Sequence, residues 1–580
     1  MKHRILFAAA AALAGAGCFV ACKDQAKPNP FMEAYTTPYA IPPFDQISYD
    51  DYLPALEAGI AQKQSQIDSI TANTETPSFD NTILALEQSG EILDKVAAVF
   101  FALDESNNTP EMAEIAETFY PTYSQFSDKM MMNGKLFDRV KYLYDHRDSL
   151  DLSADRKRAV ESYYKEFVRN GALLSDEKKA ELSALNTELS SLYLTFNKNL
   201  LNATNAFSIV VEDSLELAGL PASSVAVAAE EAARRGLDGK WVFTLHAPSR
   251  LPLLQYADNR DLRRRMYEGY TNLAFDGEYS NQPVINKILR ARDKKAALLG
   301  FDNFGSYMTE NVMAKNVENA EKLLMQIWEP AIDKAREEVA EMQAVVDSEG
   351  GDFKIAPYDY YYYAEKVRKQ KYDLDEALVR EYFAVDSVRN GIFNMAEKLY
   401  GVKFTEIPDA PKYCDEVNVY DVTDAATGEH VAVFMTDYFT RPSKRQGAWM
   451  SEFKGSWRDA DGEWSRPIIY DVGNFTPPTA DTPSLLTLDE VETMFHEFGH
   501  GLHGMLSRVA LKSQAGTNVD RDFVELPSQI TEHWAMEPEL LKTYAHHYRT
   551  GEPIPDELIA KLEAAATHNQ GFATPELAGA

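Results

Sequence analysis

The sequence predicts a mostly α-helical protein with one small antiparallel sheet. Three observations carry this: 3.6-residue apolar periodicity from about residue 44 to 400, a change to β-branched and aromatic segments between 413 and 472, and a return to helical order at residue 487. A chain of 580 residues that is 45% hydrophobic, 26% charged and 11% aromatic has the balance of a folded globular protein, which excludes disordered, collagen-like and multi-span membrane classes. Against 58 Lys and Arg stand 90 Asp and Glu, and the formal charge of −32 repels a phosphate backbone. Nucleic acid is therefore not an expected partner.

Met1–Ala21 begins with Lys2 and Arg4, continues in the apolar run Ile5–Gly17 and ends in small residues, the pattern of a secretory signal. In Phe19-Val20-Ala21-Cys22-Lys23-Asp24 the approach to the cysteine reads as a bacterial lipoprotein processing site, with Cys18 the weaker candidate. The expectation is an exported protein of the bacterial cell envelope, on the periplasmic or outer-membrane side, attached only through lipid on Cys22. Residues 22–43 make a polar tether interrupted by Pro28, Pro30, Pro38, Pro42 and Pro43. Cys18, Cys22 and Cys414 are the three cysteines, too few for a disulfide framework.

Residues 44–400 form a mainly helical region. Ile83, Leu86, Leu93, Val96, Phe100 and Leu103 share one face, as do Leu182, Leu185, Leu189, Leu192, Phe196 and Leu200; Ser175 is the expected N-cap of the second stripe and Gly300 the expected stop after Lys294–Leu299. The run Tyr358–Tyr363 reads as a packed helix start. In residues 401–580, Val417–Val422 and His430–Tyr438 flank the turn-forming Thr423–Gly428 as a hairpin, and Ile468–Val472 supplies a third strand.

The chemistry follows the sheet. Thr487 and Glu490 have capping-box spacing, and Leu488, Val491, Phe495, Phe498, Leu502 and Met505 give the ensuing helix a continuous buried stripe. At about 100° per residue, His500 lies roughly 40° around the axis from His496 and one turn along, with Glu497 about 100° from His496. Two imidazoles from successive turns suit one Zn²⁺ per chain, while the intervening carboxylate reaches a water beside it. With 11 His in the chain, chance gives roughly 0.03 such His-Glu-x-x-His matches. His503 extends the polar arc, but three histidines on one helix exceed what a tetrahedral site can face. A third ligand must come from Asp520, Asp522, Glu525 or Glu532; Asp522, Glu525 and Glu532 recur at 3 and 7, so a second helix could present all three, and spacing does not choose between them. A serine or cysteine nucleophile is disfavoured: no Gly-x-Ser-x-Gly elbow occurs and Cys414 carries no motif.

His496-Glu497-Phe498-Gly499-His500-Gly501-Leu502-His503, Asp522-Phe523-Val524-Glu525-Leu526-Pro527-Ser528-Gln529 and Glu532-x-Trp534 together resemble the signature of the thimet oligopeptidase family of zinc metallopeptidases. Pro42-Pro43-Phe44-Asp45, Asn81-Thr82-Ile83, Ala364–Asp375, Arg445-Gln446-Gly447-Ala448-Trp449-Met450 and Asn569-Gln570-Gly571-Phe572-Ala573-Thr574 resemble its peptidyl-dipeptidase Dcp branch. The resemblance implies His496, His500 and Glu525 as metal ligands and Glu497 as general base. It implies two helical halves around a deep narrow channel, with the sheet beside the zinc site. The implied activity is release of dipeptides from the C-terminus of short unfolded peptides by a monomer. The rivals are a broader endo-acting oligopeptidase, a helical zinc carboxypeptidase releasing single amino acids, and a lipid-anchored peptide-binding protein with an impaired site. The family's oxyanion-binding tyrosines and histidine are not matched before Ala580, and Pro575–Ala580 reads as a helix just beginning; the expectation is a sequence truncated at its C-terminus.

Overall fold

Apolar residues three and four apart dictate helices, and about 59% of the chain is helical in the computed structural model, which describes residues 27–458 and 462–579. The expected signal segment, Cys18 and Cys22 lie outside the described residues. The helices Tyr49–Ala72, Glu91–Ser106 and Pro110–Met131 form a first wall. Its core is aromatic: Phe100 and Phe119 are fully buried and stack with centroids 3.8 Å apart. The local signals act as expected. Ser175 caps the helix Asp176–Ala206 by accepting the Lys178 N–H. Gly300, at φ +88°, ends the helix Gln282–Leu298 in a left-handed conformation open to glycine. Leu185 and Leu189 of the former pack on Val284, Ile288 and Ala291 of the latter.

A two-stranded antiparallel ribbon, β1 (Ile209–Val211) with β2 (Trp241–Phe243), is set apart from the main sheet. The main sheet has five strands: β3 (Val402–Glu406), β4 (Asn418–Asp424), β5 (His430–Phe439), β6 (Trp449–Lys454) and β7 (Ile468–Phe475), in the order β3-β4-β5-β7-β6. The hairpin and third strand fall where the sequence places them. The sheet is mixed rather than wholly antiparallel, because β6 crosses to the edge and β7 enters beside β5, parallel to it, with Met435 opposite Tyr470. Strands buried on both faces suit parallel pairing, and every residue of β7 is buried. β3 and β6 escaped the sequence reading because both are short, half-exposed edge strands without a clear apolar alternation.

The sheet is a partition. Val433, Met435, Ile468, Tyr470 and Val472 face the first helical wall, while Phe434, Ile469 and Phe475 face the helix that carries the motif, packing with Phe495, Phe498 and Leu502. On the wall side a cavity of about 770 Å³ lies between the helices Pro110–Met131 and Asp176–Ala206 and the loop around Arg445.

Candidate active site

The motif helix, Leu488–Met505, begins where Thr487 accepts the Glu490 N–H and Glu490 in return accepts the Thr487 N–H. Its apolar stripe is buried as expected from Val491 to Met505, with Leu488 partly buried. A second helix, Glu525–Glu532, lies across it. The two approach closely because residue 499 is glycine: a Cβ there would stand 2.6 Å from the Ser528 Cα. That contact sets Glu525, the first residue of the second helix, in front of both histidines.

The Nε2 atoms of His496 and His500 lie 3.1 and 3.0 Å from the same oxygen, Glu525 Oε2. One donor atom from each residue falls within 4.8 Å of the others. The two imidazole planes stand 82° apart with centroids 4.9 Å apart, and both Nε2 atoms face the one Glu525 oxygen. Behind His496, Glu532 Oε1 is 2.6 Å from Nδ1, and this partner fixes Nδ1 as the protonated nitrogen and leaves Nε2 free to ligate. Ser528, fully buried, shares its hydroxyl between the Glu525 carbonyl at 2.8 Å and Glu525 Oε2 at 3.1 Å, which steadies the carboxylate.

Glu497 points to the sheet side of the same arc and is 9% exposed. Burial pushes its carboxyl up to about 7; His496 and a hydrogen bond from the Met450 backbone N–H oppose the rise, and Glu525 adds to it. Burial draws His500 down against the pull of Glu525. For His496 burial acts downward too, but the Glu532 hydrogen bond and three nearby carboxylates outweigh it and raise the group. Two imidazoles among the carboxylates Glu497, Glu525 and Glu532 make a cluster with excess negative charge. Such a donor set, two nitrogens and one oxygen converging on one point, fits a divalent metal.

The remaining candidates are engaged elsewhere. Asp522 precedes the second helix and accepts the N–H groups of Met313 and Ala314 at 2.8 and 2.9 Å, so the expectation that Asp522, Glu525 and Glu532 share one helical face is corrected: the helix starts at Glu525. Asp520 lies 3.5 Å from Arg158. His503 is outside the converging group, with its buried Nδ1 lacking a partner among the described residues. Sequence reasoning missed Asp471, 1% exposed on β7 with neither carboxylate oxygen bonded among the described residues. A carboxylate inside an apolar strand was the available clue. Burial first, then Glu497, raises Asp471 well above the ordinary carboxylate range.

Residues 253–578 match the model of Peptidase family M3. The chain is 40% identical to the dipeptidyl carboxypeptidase of Escherichia coli (strain K12) over 95% of its own length and 81% of the relative's. It is 33% identical to oligopeptidase A of Salmonella typhimurium, over 93% of this chain and 79% of that one. Among solved structures, PZ peptidase A with inhibitor 2 shares the fold at a TM-score of 0.50 and 14% identity, covering 92% of this chain and 75% of that one. These relatives overturn one expectation. Kinship over nearly the whole chain is to a dipeptidyl carboxypeptidase and an oligopeptidase A, and it gives export and a lipid anchor on Cys22 no support. Among the described residues, no helix is long and apolar enough to cross a membrane. A basic start followed by small apolar residues is a compositional pattern, and composition alone does not specify an anchor. With His496, Glu497, His500 and Glu525 assembled at one point and the match running to residue 578, the chain belongs to Peptidase family M3 and is a metallopeptidase of the thimet oligopeptidase family.

Proposed function

We propose that this chain is a zinc-dependent peptidyl-dipeptidase that releases dipeptides from the free C-terminus of short unfolded peptides, acting as a monomer and without nucleic acid. The observation that carries the reading is the convergence of His496, His500 and Glu525 with Glu497 beside them, in a chain 40% identical to a dipeptidyl carboxypeptidase. His496, His500 and Glu525 would hold the zinc, with Glu532 and Ser528 orienting two of them. When bound, zinc supplies Lewis acidity toward water and the scissile carbonyl. Glu497 takes the proton from the attacking water and returns it to the leaving amine. A carboxyl pushed up to about 7 gains and loses a proton at little cost near neutral pH, which suits both halves of that task. No nucleophilic side chain is needed.

The kinship to oligopeptidase A at 33% identity favours a second reading, cleavage at internal bonds. Mass spectrometry of one unblocked decapeptide and its C-terminally amidated form, with and without chelator, separates the two. Successive two-residue losses from the free-acid form alone, abolished by chelator and restored by zinc, are expected. Internal fragments from both forms would establish the second reading, and cleavage indifferent to chelator would overturn the metal-dependent mechanism.

A further inference from the structure

Between the helices Pro110–Met131 and Asp176–Ala206 a second cavity, of about 380 Å³, continues from the larger one, and Tyr120, Leu194 and Asn197 line both. At its far end it reaches Lys295, on the helix Gln282–Leu298, and Phe304, the first residue of a short helix that runs to Thr309. None of the residues around it belongs to the metal site.

One side of the cavity is short of donors. Asp128 is 7% exposed, and its Oδ1 accepts from Asn186 Nδ2 at 2.7 Å. Its Oδ2 and the Oδ1 of Asn186 are buried without a hydrogen-bond partner among the described residues; Ser183 stands near Asp128 but not at bonding geometry to Oδ2. Buried acceptors are ordinarily satisfied, so two neighbouring ones left open call for a group with several N–H donors. Burial raises the Asp128 carboxyl above its ordinary value, against the pull of Asn186, Ser183 and Lys295. The other side is short of an anion. The Lys295 ammonium lies 5.8 Å from the centroid of the Tyr307 ring, and no salt bridge joins it to Asp128 or to another carboxylate among the described residues. Burial draws that ammonium down, with Asp128 opposing.

Aromatic rings line the same cavity, and they are fixed in advance. Tyr193 accepts a hydrogen bond from Arg292 Nε at 2.8 Å, the Arg292 guanidinium lies 5.0 Å from the centroid of Phe304, and Tyr123 meets Phe101 edge-on at 5.4 Å. We propose that this cavity binds a small zwitterion, an α-amino acid or a dipeptide with an aromatic or apolar side chain. Its ammonium would satisfy Asp128 Oδ2 and Asn186 Oδ1, its carboxylate would pair with Lys295, and its side chain would lie among Tyr123, Tyr193 and Phe304. A single water, of about 30 Å³, could serve the two acceptors but would leave Lys295 without a counter-charge and the rings without a neighbour. Zwitterions of this kind are what a peptidase releases. The larger cavity joins this one to Arg445, whose guanidinium lies 4.7 Å from the centroid of Trp449 at the start of β6. The inference stands whichever peptide bond the metal site cuts.

Calorimetric titration of the metal-loaded protein with L-phenylalanine and with the dipeptide alanyl-phenylalanine tests this, repeated after chelation. Binding in the cavity should survive chelation, whereas a product held through metal at His496 and His500 should not. Tighter binding of the dipeptide would identify a released product as the ligand; equal or tighter binding of phenylalanine would identify the free amino acid. Acetylating the ligand's amine or amidating its carboxylate should each weaken binding about 10-fold to 100-fold, the worth of one hydrogen bond to a charged group. Asp128→Asn should lower affinity for the unmodified ligand by a similar factor and erase the penalty of acetylation, and Lys295→Met should erase the penalty of amidation. Where either variant fails to fold, the two modified ligands decide on the parent protein. No binding of either ligand would mean that the cavity holds water alone and would overturn the proposal. So would binding lost on chelation, binding indifferent to both modifications, or full affinity in both variants.

Discussion

Two charged clusters flank the central strands, one buried and one half-open, and they are built on opposite plans. Around Asp437, itself 1% exposed, every charge closes on a partner: Arg441 reaches both carboxylate oxygens at 2.7 and 2.6 Å, Lys444 adds an ammonium, and the Tyr413 hydroxyl donates at 2.7 Å. Burial would raise Asp437, but these partners hold it below the ordinary carboxylate range. Around His496 and His500 the sums do not close. Two ring nitrogens share a single oxygen of Glu525, Glu497 is pushed up to about 7, and His500 is held down. A cluster that satisfies itself contributes shape, whereas one with converging donors and perturbed acids is prepared for a cation and a proton transfer.

The sharpest way to separate the two is to remove one carboxylate from each. Glu497→Gln should lower turnover by about 10²–10⁴-fold or more, while the purified variant still binds one metal per chain. Near-normal turnover would remove Glu497 from the mechanism. Asp437→Ala should do the reverse, because stripping one partner from a buried ion pair typically costs about 3–5 kcal/mol of stability. Calorimetry should show the loss, and the folded fraction should bind metal as tightly as the parent. If metal affinity fell in step with stability, the clusters would be one unit and the contrast would fail.

Within the open cluster the carboxylates should also differ among themselves. Glu525→Ala should lower metal affinity most. Glu532→Gln, which only deprives His496 Nδ1 of its acceptor, should lower it about 10–100-fold, and Asp522→Asn should leave it unchanged, since that side chain serves the Met313 and Ala314 amides. Competition with a chromogenic chelator measures all three. An Asp522→Asn variant that loses metal would reassign the third position.

The contrast also accounts for what the sequence disclosed. The motif helix was legible because its signals are local: the Thr487 cap, the apolar stripe and the His496–His500 spacing lie within one element. The hairpin of β4 and β5 was legible for the same reason. Choosing among Asp522, Glu525 and Glu532 by spacing failed because the answer depends on where a helix starts and on a loop far upstream, at Met313. The parallel register of β5 and β7 depends on a crossover through β6, and no short pattern encodes it. Lys444 sits in Arg441-Pro442-Ser443-Lys444-Arg445, which reads as a charged surface loop; only the Asp437 carboxylate and the carbonyls of Asp437, Phe439 and Gly473 make it a buried tie. The motif resemblance supplied Glu525, and the kinship gave no support to the envelope anchor that composition had suggested.

The smallest effect tests the contrast where it is most exposed to failure, at Glu452 on β6. This carboxyl is neither closed like Asp437 nor part of the metal-site group, and burial alone pushes it up to about 7. The folded state thus holds a proton that the unfolded chain releases near pH 4.5. Stability associated with that proton is complete below the unfolded value, declines from about pH 4.5, and is lost once pH rises through about 7. Glu452→Gln keeps a neutral group of the same size at every pH. The variant should match the parent at pH 4 and exceed it at pH 8, by an amount on the order of 1–3 kcal/mol, since each tenfold change in proton affinity is worth about 1.36 kcal/mol. Thermal unfolding at the two pH values measures this, on metal-free protein so that ligand protonation near His496 does not intrude. Because the side chain lies on the strand that also carries Met450, turnover at pH 7 should be unchanged if position alone matters there. A variant less stable than the parent at pH 8 would show that Glu452 has an ionised partner after all, and it would then belong with Asp437 among the closed charges.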